Sequence, residues 1–336
     1  MNQLKKSSND LGPALTLMLL APLLTEVLPG ATRFSSIFVL PIEICVWGGG
    51  ALLIRYAVRK RRLGWPGMLL LALALSLSEE CIIQQTSLAP MVIHLKGEVY
   101  ARAGGVNYVY LLWALIYESV FVVFLPICLV EMIFPARRQR LWISKGGFFA
   151  VIPLFLLGSF LAWFSWTRIA RTKVFHVPVY TPPAIITLLS LALIAGLIFL
   201  ALTRFKNNPP LSSITPPPSW VLLITGTLWA TLLFGLVLLG FGIAPHFPPL
   251  AAIGGAILLF SAALFFVPKW SANPQWQHPQ VFSLLFGTIL GSMLISFVGF
   301  IDTGGPDLYF KIITNILAII LLLLLGGRKN LSLQNG

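Results

Sequence analysis

The sequence predicts an all-α integral membrane protein with about ten transmembrane helices, and three observations support that prediction. Of the 336 residues, 57% are hydrophobic and only 10% are charged. The mean hydropathy is +0.90, which is far above the range of soluble globular domains. Apolar runs long enough to cross a bilayer follow one another along the chain, and most lysines and arginines fall between them.

These runs and the breaks between them divide the chain into four predicted segments. Residues 1–145 form a four-helix half that carries the intramembrane acids, and residues 146–206 add two further helices. A Pro-rich connecting loop follows at 207–219, and residues 220–336 form an apolar four-helix half. The predicted helices lie at 11–28, 36–58, 64–90, 108–134, 148–167, 184–204, 220–240, 250–267, 281–300 and 308–325.

The basic residues predict the orientation and exclude one class of function. The formal net charge is +13, but its clustering between apolar runs is explained by membrane topology, so we expect the lipid bilayer as partner and no nucleic acid. The first run resembles a signal peptide, yet Glu26 and Pro29 fall just before Gly30-Ala31, where a cleavage site would lie, and this favours a retained helix. Most basic residues then fall on one side, which predicts a multi-pass inner-membrane protein with both termini in the cytoplasm.

The run at 64–90 contains two adjacent carboxylates, Glu79 and Glu80, near its middle. A charged carboxylate at that depth costs on the order of 3 kcal/mol, and two neighbours cannot both ionise cheaply there. Ser76, Glu80, Gln84 and Ser87 follow at separations of four, four and three residues, so one continuous helix would place them in a single polar stripe. That stripe must face protein or water.

Other membrane acids lie on the neighbouring predicted helices. Glu26, Glu43 and Glu118 overlap the doublet in depth, and short loops tend to keep such helices adjacent. We therefore expect an outward-facing polar pocket formed by Glu26, Glu43, Glu79, Glu80, Gln84 and Glu118.

Two further sequence features predict how the first four helices pack together. Glu131 lies close in sequence to Arg137 and Arg138, which predicts an interfacial ion pair. Three consecutive glycines, beginning at Gly48, would let a neighbouring helix approach closely.

Glutamates without histidine or cysteine partners suit a proton or a hard divalent cation such as Mg²⁺, Ca²⁺ or Mn²⁺, and no further cofactor is predicted. This favours a transport or permeation protein. A structural subunit that binds a membrane or cytoplasmic partner is the alternative, because Ser, Gln and Glu also join membrane helices by hydrogen bonds alone. The oligomeric state stays open, and so does the metal, if any.

The doublet with Gln84 reads Glu-Glu-x-x-x-Gln, which resembles the first motif of CAAX-type intramembrane proteases, Glu-Glu-x-x-x-Arg. That resemblance implies a hydrolase with histidines on later membrane helices. Here glutamine replaces the arginine, and His176, His246 and His278 fall in Pro-containing loops. A hydrolase is therefore the less favoured interpretation, and the sequence favours a protein that is not an enzyme.

A second resemblance covers roughly the first 150 residues. PLLTEVLPG at 22–30, LLIRYAVRKRRLGWP at 52–66, EECIIQQTSLAP at 79–90 and LPICLVEMIFP at 125–135 are similar to segments of a group of prokaryotic polytopic membrane proteins with no assigned activity. Those proteins typically have Asn-Pro where this chain has Ala89-Pro90. The resemblance implies the same helical architecture, and it implies that the residues in these four segments are important.

Overall fold

The protein is described by a computed structural model over residues 10–90, 100–207, 211–244, 246–301 and 303–327. The structure is 78% helical with almost no strand, which confirms the all-α membrane prediction. Within them, nine helices are long and apolar enough to cross a membrane, and a tenth, α1 (Leu11–Val27), is shorter. The nine are α2 (Phe34–Arg61), α3 (Trp65–Ile83), α4 (Tyr108–Ile133), α5 (Lys145–Val174), α6 (Ala184–Arg204), α7 (Ser219–Ile243), α8 (Pro249–Ser271), α9 (His278–Phe300) and α10 (Pro306–Gly326).

Two helix ends differ from the predicted ones. Helix α3 ends at Ile83 rather than at residue 90, because Gln85 adopts a left-handed backbone conformation with φ 60° that a helix cannot continue. Helix α5 continues through the basic stretch to Val174. It can do so because Arg171 is buried with its guanidinium bonded to the carbonyls of Pro178 and Pro90, each at 3.1 Å.

The connection between α3 and α4 ends in a short antiparallel hairpin, in which β1 (Arg102–Ala103) pairs with β2 (Val106–Asn107). Residues 91–99, which hold the predicted interfacial piece with His94, lie outside the described residues. Within the Pro-rich loop, residues 211–218 contain no helix or strand, and Ser219 already begins α7.

Contacts along the chain define two compact units that interleave in sequence. The first comprises Met1–Thr25, Val39–Pro210 and Leu233–Leu264, and the second comprises Glu26–Phe38, Leu211–Leu232 and Phe265–Gly336. In the first unit, α3 packs along α6, and the core contains fully buried Leu17, Ala51 and Val123 from α1, α2 and α4. In the second unit, α9 contacts α10 and also packs closely against α7 at Gly287. The division predicted at 145, 206 and 219 stays a prediction.

The glycine run of α2 provides the predicted close approach. A Cβ on Gly48 would overlap backbone atoms of Met18 in α1, and a Cβ on Gly50 would lie 2.8 Å from the Leu75 side chain of α3. Only glycine therefore lets α1 and α3 reach the α2 backbone at these positions. This contact brings the first three helices of the unit together around the acids.

A basic cluster closes one end of the first unit, where α2 and α4 both finish. Arg55 is 1% exposed, stacks 3.3 Å over the Trp142 ring and donates to the carbonyls of Arg138 and Arg140. Glu131 pairs with Arg55 at 3.1 Å and with Arg59 at 2.6 Å. Glu131 does form an ion pair, but the predicted partners were wrong, since the arginines come from α2 and not from the nearby sequence. The interfacial location of the pair stays a prediction.

Candidate functional site

The acids of the predicted pocket coincide with widened, π-helical turns. Glu79 and Glu80 begin the π turn Glu79–Ile83, and Glu118 directly precedes the π turn Ser119–Phe124. Glu43 directly precedes another at Ile44–Gly48, and Glu26 lies within Leu23–Val27. Such turns leave backbone groups out of the regular helical ladder and often occur at functional sites. Periodicity in the sequence could not reveal them, because a π turn adds a single residue to an otherwise regular helix.

Two of these carboxyl groups meet between α3 and α4. The side chains of Glu80 and Glu118 are hydrogen-bonded to each other and are 3% and 8% exposed. Ser87 donates to Glu80 Oε2 at 2.5 Å. Ser76 donates to the Ala114 carbonyl at 3.2 Å, and its hydroxyl oxygen is also within hydrogen-bonding reach of the Glu118 carboxyl. A hydrogen-bonded carboxyl pair thus lies inside the protein.

Glu79 lies beside this pair and helps to line a small cavity. The cavity has about 10 Å³ of space, and Glu79 and Glu118 form its polar part. That volume holds roughly one water molecule. The other lining residues are apolar and come from α2, α3 and α4: Val46, Trp47, Leu75 and Val122.

The segment after α3 folds back over the pair and is fixed from two sides. Asn107 is fully buried and donates to the carbonyls of Thr86 and Ala89 at 3.3 and 2.9 Å, and its own amide oxygen accepts from Arg102 at 3.1 Å. Its backbone N–H also donates to the Ser87 carbonyl at 2.8 Å. The Arg171 bond to Pro90 fixes the end of the segment.

This arrangement corrects the predicted stripe. Because α3 ends at Ile83, Gln84 and Ser87 do not continue the helical face of Ser76 and Glu80. Ser87 reaches Glu80 through a chain reversal instead, in which its backbone N–H bonds the Glu80 carbonyl at 3.3 Å. The doublet consequently lies near the end of α3 and not at its middle. Asn107 and Arg171 hold this reversal in place by hydrogen bonds. Neither could be identified from the sequence, because nothing in it links them to residues 84–90.

The remaining predicted pocket residues lie elsewhere. Glu43 is buried on α2 but does not line the cavity. Gln84 is half-buried just beyond α3, and Glu26 is half-buried at the end of α1, where the chain passes into the second unit. A pocket that joins all six predicted residues stays a prediction. The structure joins Glu80 to Glu118, with Glu79 beside them.

The hydrogen bond between the two carboxyl groups has a consequence for their protonation. A carboxylate accepts hydrogen bonds but cannot donate one, so the bond between Glu80 and Glu118 requires a shared proton. No three histidine, cysteine, aspartate or glutamate side chains of the described residues are grouped so as to hold a metal ion. His176 and His246 are exposed, and neither completes such a group with the glutamates.

No protein-family model matches the chain, and neither a curated protein nor a solved structure matches it.

Proposed function

We propose that this chain is a multi-pass inner-membrane protein of the transport and permeation class, and that its carboxyl pair handles a proton. The observation that carries the proposal is the buried hydrogen bond between Glu80 and Glu118. Ionisable groups within membrane spans are expensive and commonly form proton relays. The adjoining cavity holds about one water, which suits a proton and leaves no space for a larger cargo.

We further propose that both termini face the cytoplasm. The start of α1, the end of α2 and the end of α4 lie together in the first unit, since Asp10 pairs with Arg137 at 2.5 Å and Glu131 pairs with Arg55 and Arg59. This is the arrangement that successive crossings of one membrane produce. The many arginines at that end support a cytoplasmic location for it by the positive-inside rule.

Proton permeation can be tested in proteoliposomes that contain a pH-sensitive dye and a clamped membrane potential. After a step in external pH, vesicles with the wild-type protein should equilibrate faster than empty vesicles, and Glu118→Gln should return the rate to the empty-vesicle value. Asp307→Asn is the control, since Asp307 bonds Ser35 outside the carboxyl pair. A wild-type rate equal to that of empty vesicles would refute permeation.

Infrared spectroscopy tests the shared proton independently of flux. The wild-type protein should show the carbonyl stretch of a protonated carboxyl group, and Glu118→Gln should lose it. The same band in both proteins would show that the proton resides elsewhere.

A structural role is the second candidate, favoured by the bond from Ser76 to the Ala114 carbonyl, which joins α3 to α4 without any chemistry. On this reading the pair only holds the two helices together. Glu80→Gln would then keep both folding and vesicle behaviour, whereas Glu80→Leu would lower the melting temperature by leaving Ser87 without its acceptor.

A further inference from the structure

A second candidate site lies in the first unit, at the end of α2, the start of α5 and the end of α6. A groove with about 590 Å³ of space opens there. That volume falls within the range of about 300–1,000 Å³ typical of small-molecule pockets. It is lined, among others, by Tyr56, Lys60, Arg61, Lys145, Phe148 and Leu202.

The groove carries uncompensated positive charge. Lys60, Arg61 and Lys145 are exposed, and no acidic residue lines the groove beside them. The ion pairs formed between described residues use Arg55, Arg59 and Arg137, so none of them neutralises these three cations. The groove therefore presents a cluster of three cations to an anionic ligand.

Its other wall is apolar and aromatic. The Tyr56 and Phe148 rings stack with centroids 4.6 Å apart, and Lys145 Nζ lies 6.0 Å from the centroid of the Phe149 ring. Leu202 adds an aliphatic surface from α6. Because every lining residue stands near the end of a membrane-spanning helix, cations and apolar wall meet at the level where a bilayer has its headgroups.

We propose that this groove binds an anionic phospholipid, with the phosphate of the headgroup between Lys60, Arg61 and Lys145 and the start of an acyl chain along the Tyr56–Phe148 wall. The charge selects a phosphate-bearing anion. The apolar wall at membrane level selects a lipid over a soluble phosphate, which would leave that wall without a partner. Basic pockets between membrane helices commonly hold anionic headgroups in this way.

The full chain in nanodiscs provides the test, with phosphatidylglycerol mixed into phosphatidylcholine as the probe. Phosphatidylglycerol should raise the melting temperature of the wild-type protein, and native mass spectrometry should detect retained phosphatidylglycerol. The triple variant Lys60→Gln, Arg61→Gln, Lys145→Gln should lose both effects. Each cation near an anionic headgroup contributes about fivefold in affinity, so the triple variant should bind on the order of a hundredfold more weakly.

A matched triple variant separates the groove from general surface charge. Arg62→Gln, Arg138→Gln and Arg204→Gln remove three exposed cations that do not line the groove. This variant should keep the wild-type response, and an equal loss in both triple variants would overturn the proposal. An equal shift from soluble glycerol phosphate in phosphatidylcholine nanodiscs would overturn the lipid as ligand. Because the groove cations are exposed, their replacement should leave the fold intact. The melting temperature of each variant in phosphatidylcholine alone checks this.

Discussion

Asn107 is the side chain that closes residues 84–90 over the carboxyl pair, so its replacement should open that segment. The side chain makes hydrogen bonds to the carbonyls of Thr86 and Ala89 and accepts one from Arg102. Leucine has a similar size but can make none of them. Each lost bond weakens stability by about 1 kcal/mol, and the carbonyls left buried add to this, so Asn107→Leu should cost about 2–4 kcal/mol.

Because those bonds fix one short segment, their loss should appear first as local opening rather than as global unfolding. A cost in the middle of that range raises the open population on the order of a hundredfold. Hydrogen exchange followed by mass spectrometry measures it directly. The peptide covering residues 84–90 should exchange on the order of a hundredfold faster in Asn107→Leu, while peptides from the middle of α4 keep their wild-type rates.

Asn315 provides a matched control. Like Asn107 it is a buried asparagine, but it lies in a helix of the second unit. It is 4% exposed, and neither atom of its side-chain amide finds a hydrogen-bond partner among the described residues. Asn315→Leu should therefore be neutral or stabilising and should leave residues 84–90 unchanged. Exchange of that peptide within about threefold of wild type in a folded Asn107→Leu protein would refute the role given to Asn107.

Two further predictions concern the packing of α2. Arg55→Leu should lower the free energy of unfolding by about 2–4 kcal/mol, because the buried Arg55 bonds two carbonyls and stacks on an aromatic ring as well as pairing with Glu131. Arg59→Gln removes a partner of the same acid from a more exposed position and should cost under about 1 kcal/mol, so equal denaturant midpoints for the two variants would contradict this account. Gly48→Ala should destabilise by about 1–3 kcal/mol because its Cβ overlaps the α1 backbone. Gly196→Ala, with nothing within 4 Å, should be neutral or stabilising, and a stable Gly48→Ala protein would refute the close contact.

The sequence by itself determined the membrane class and the course of the spans. A hydrocarbon core about 30 Å thick requires about 20 apolar residues in a helix, and that requirement is local to each run. The runs therefore predicted α2, α4 and α6 to within a few residues. The same reasoning failed at Ile83 and Val174, because the Gln85 turn and the buried Arg171 are decided by partners far away in the chain.

The candidate site was only half visible in the sequence. An acid inside an apolar run is expensive wherever it lies, so Glu79, Glu80 and Glu118 could be identified without coordinates. Their hydrogen-bond partners could not be identified in this way. A long connection joins α3 to α4, and hydropathy does not show which residues of two helices lie opposite each other. The distances from Ser87 to Glu80 and from Asn107 to residues 86 and 89 exist only in the folded chain.

The basic residues illustrate the same division. Their position between apolar runs predicted the orientation, since positive charge resists crossing the membrane whatever the fold. Which of them would be neutralised was decided by packing: Arg55 and Arg59 of α2 meet Glu131 of α4, whereas Lys60, Arg61 and Lys145 are left facing an open groove. The paired arginines and the groove cations carry the same charge, and some are neighbours in sequence. They differ only in which helix faces the folded chain brings next to them, and this decides whether a cation is structural or available to a ligand.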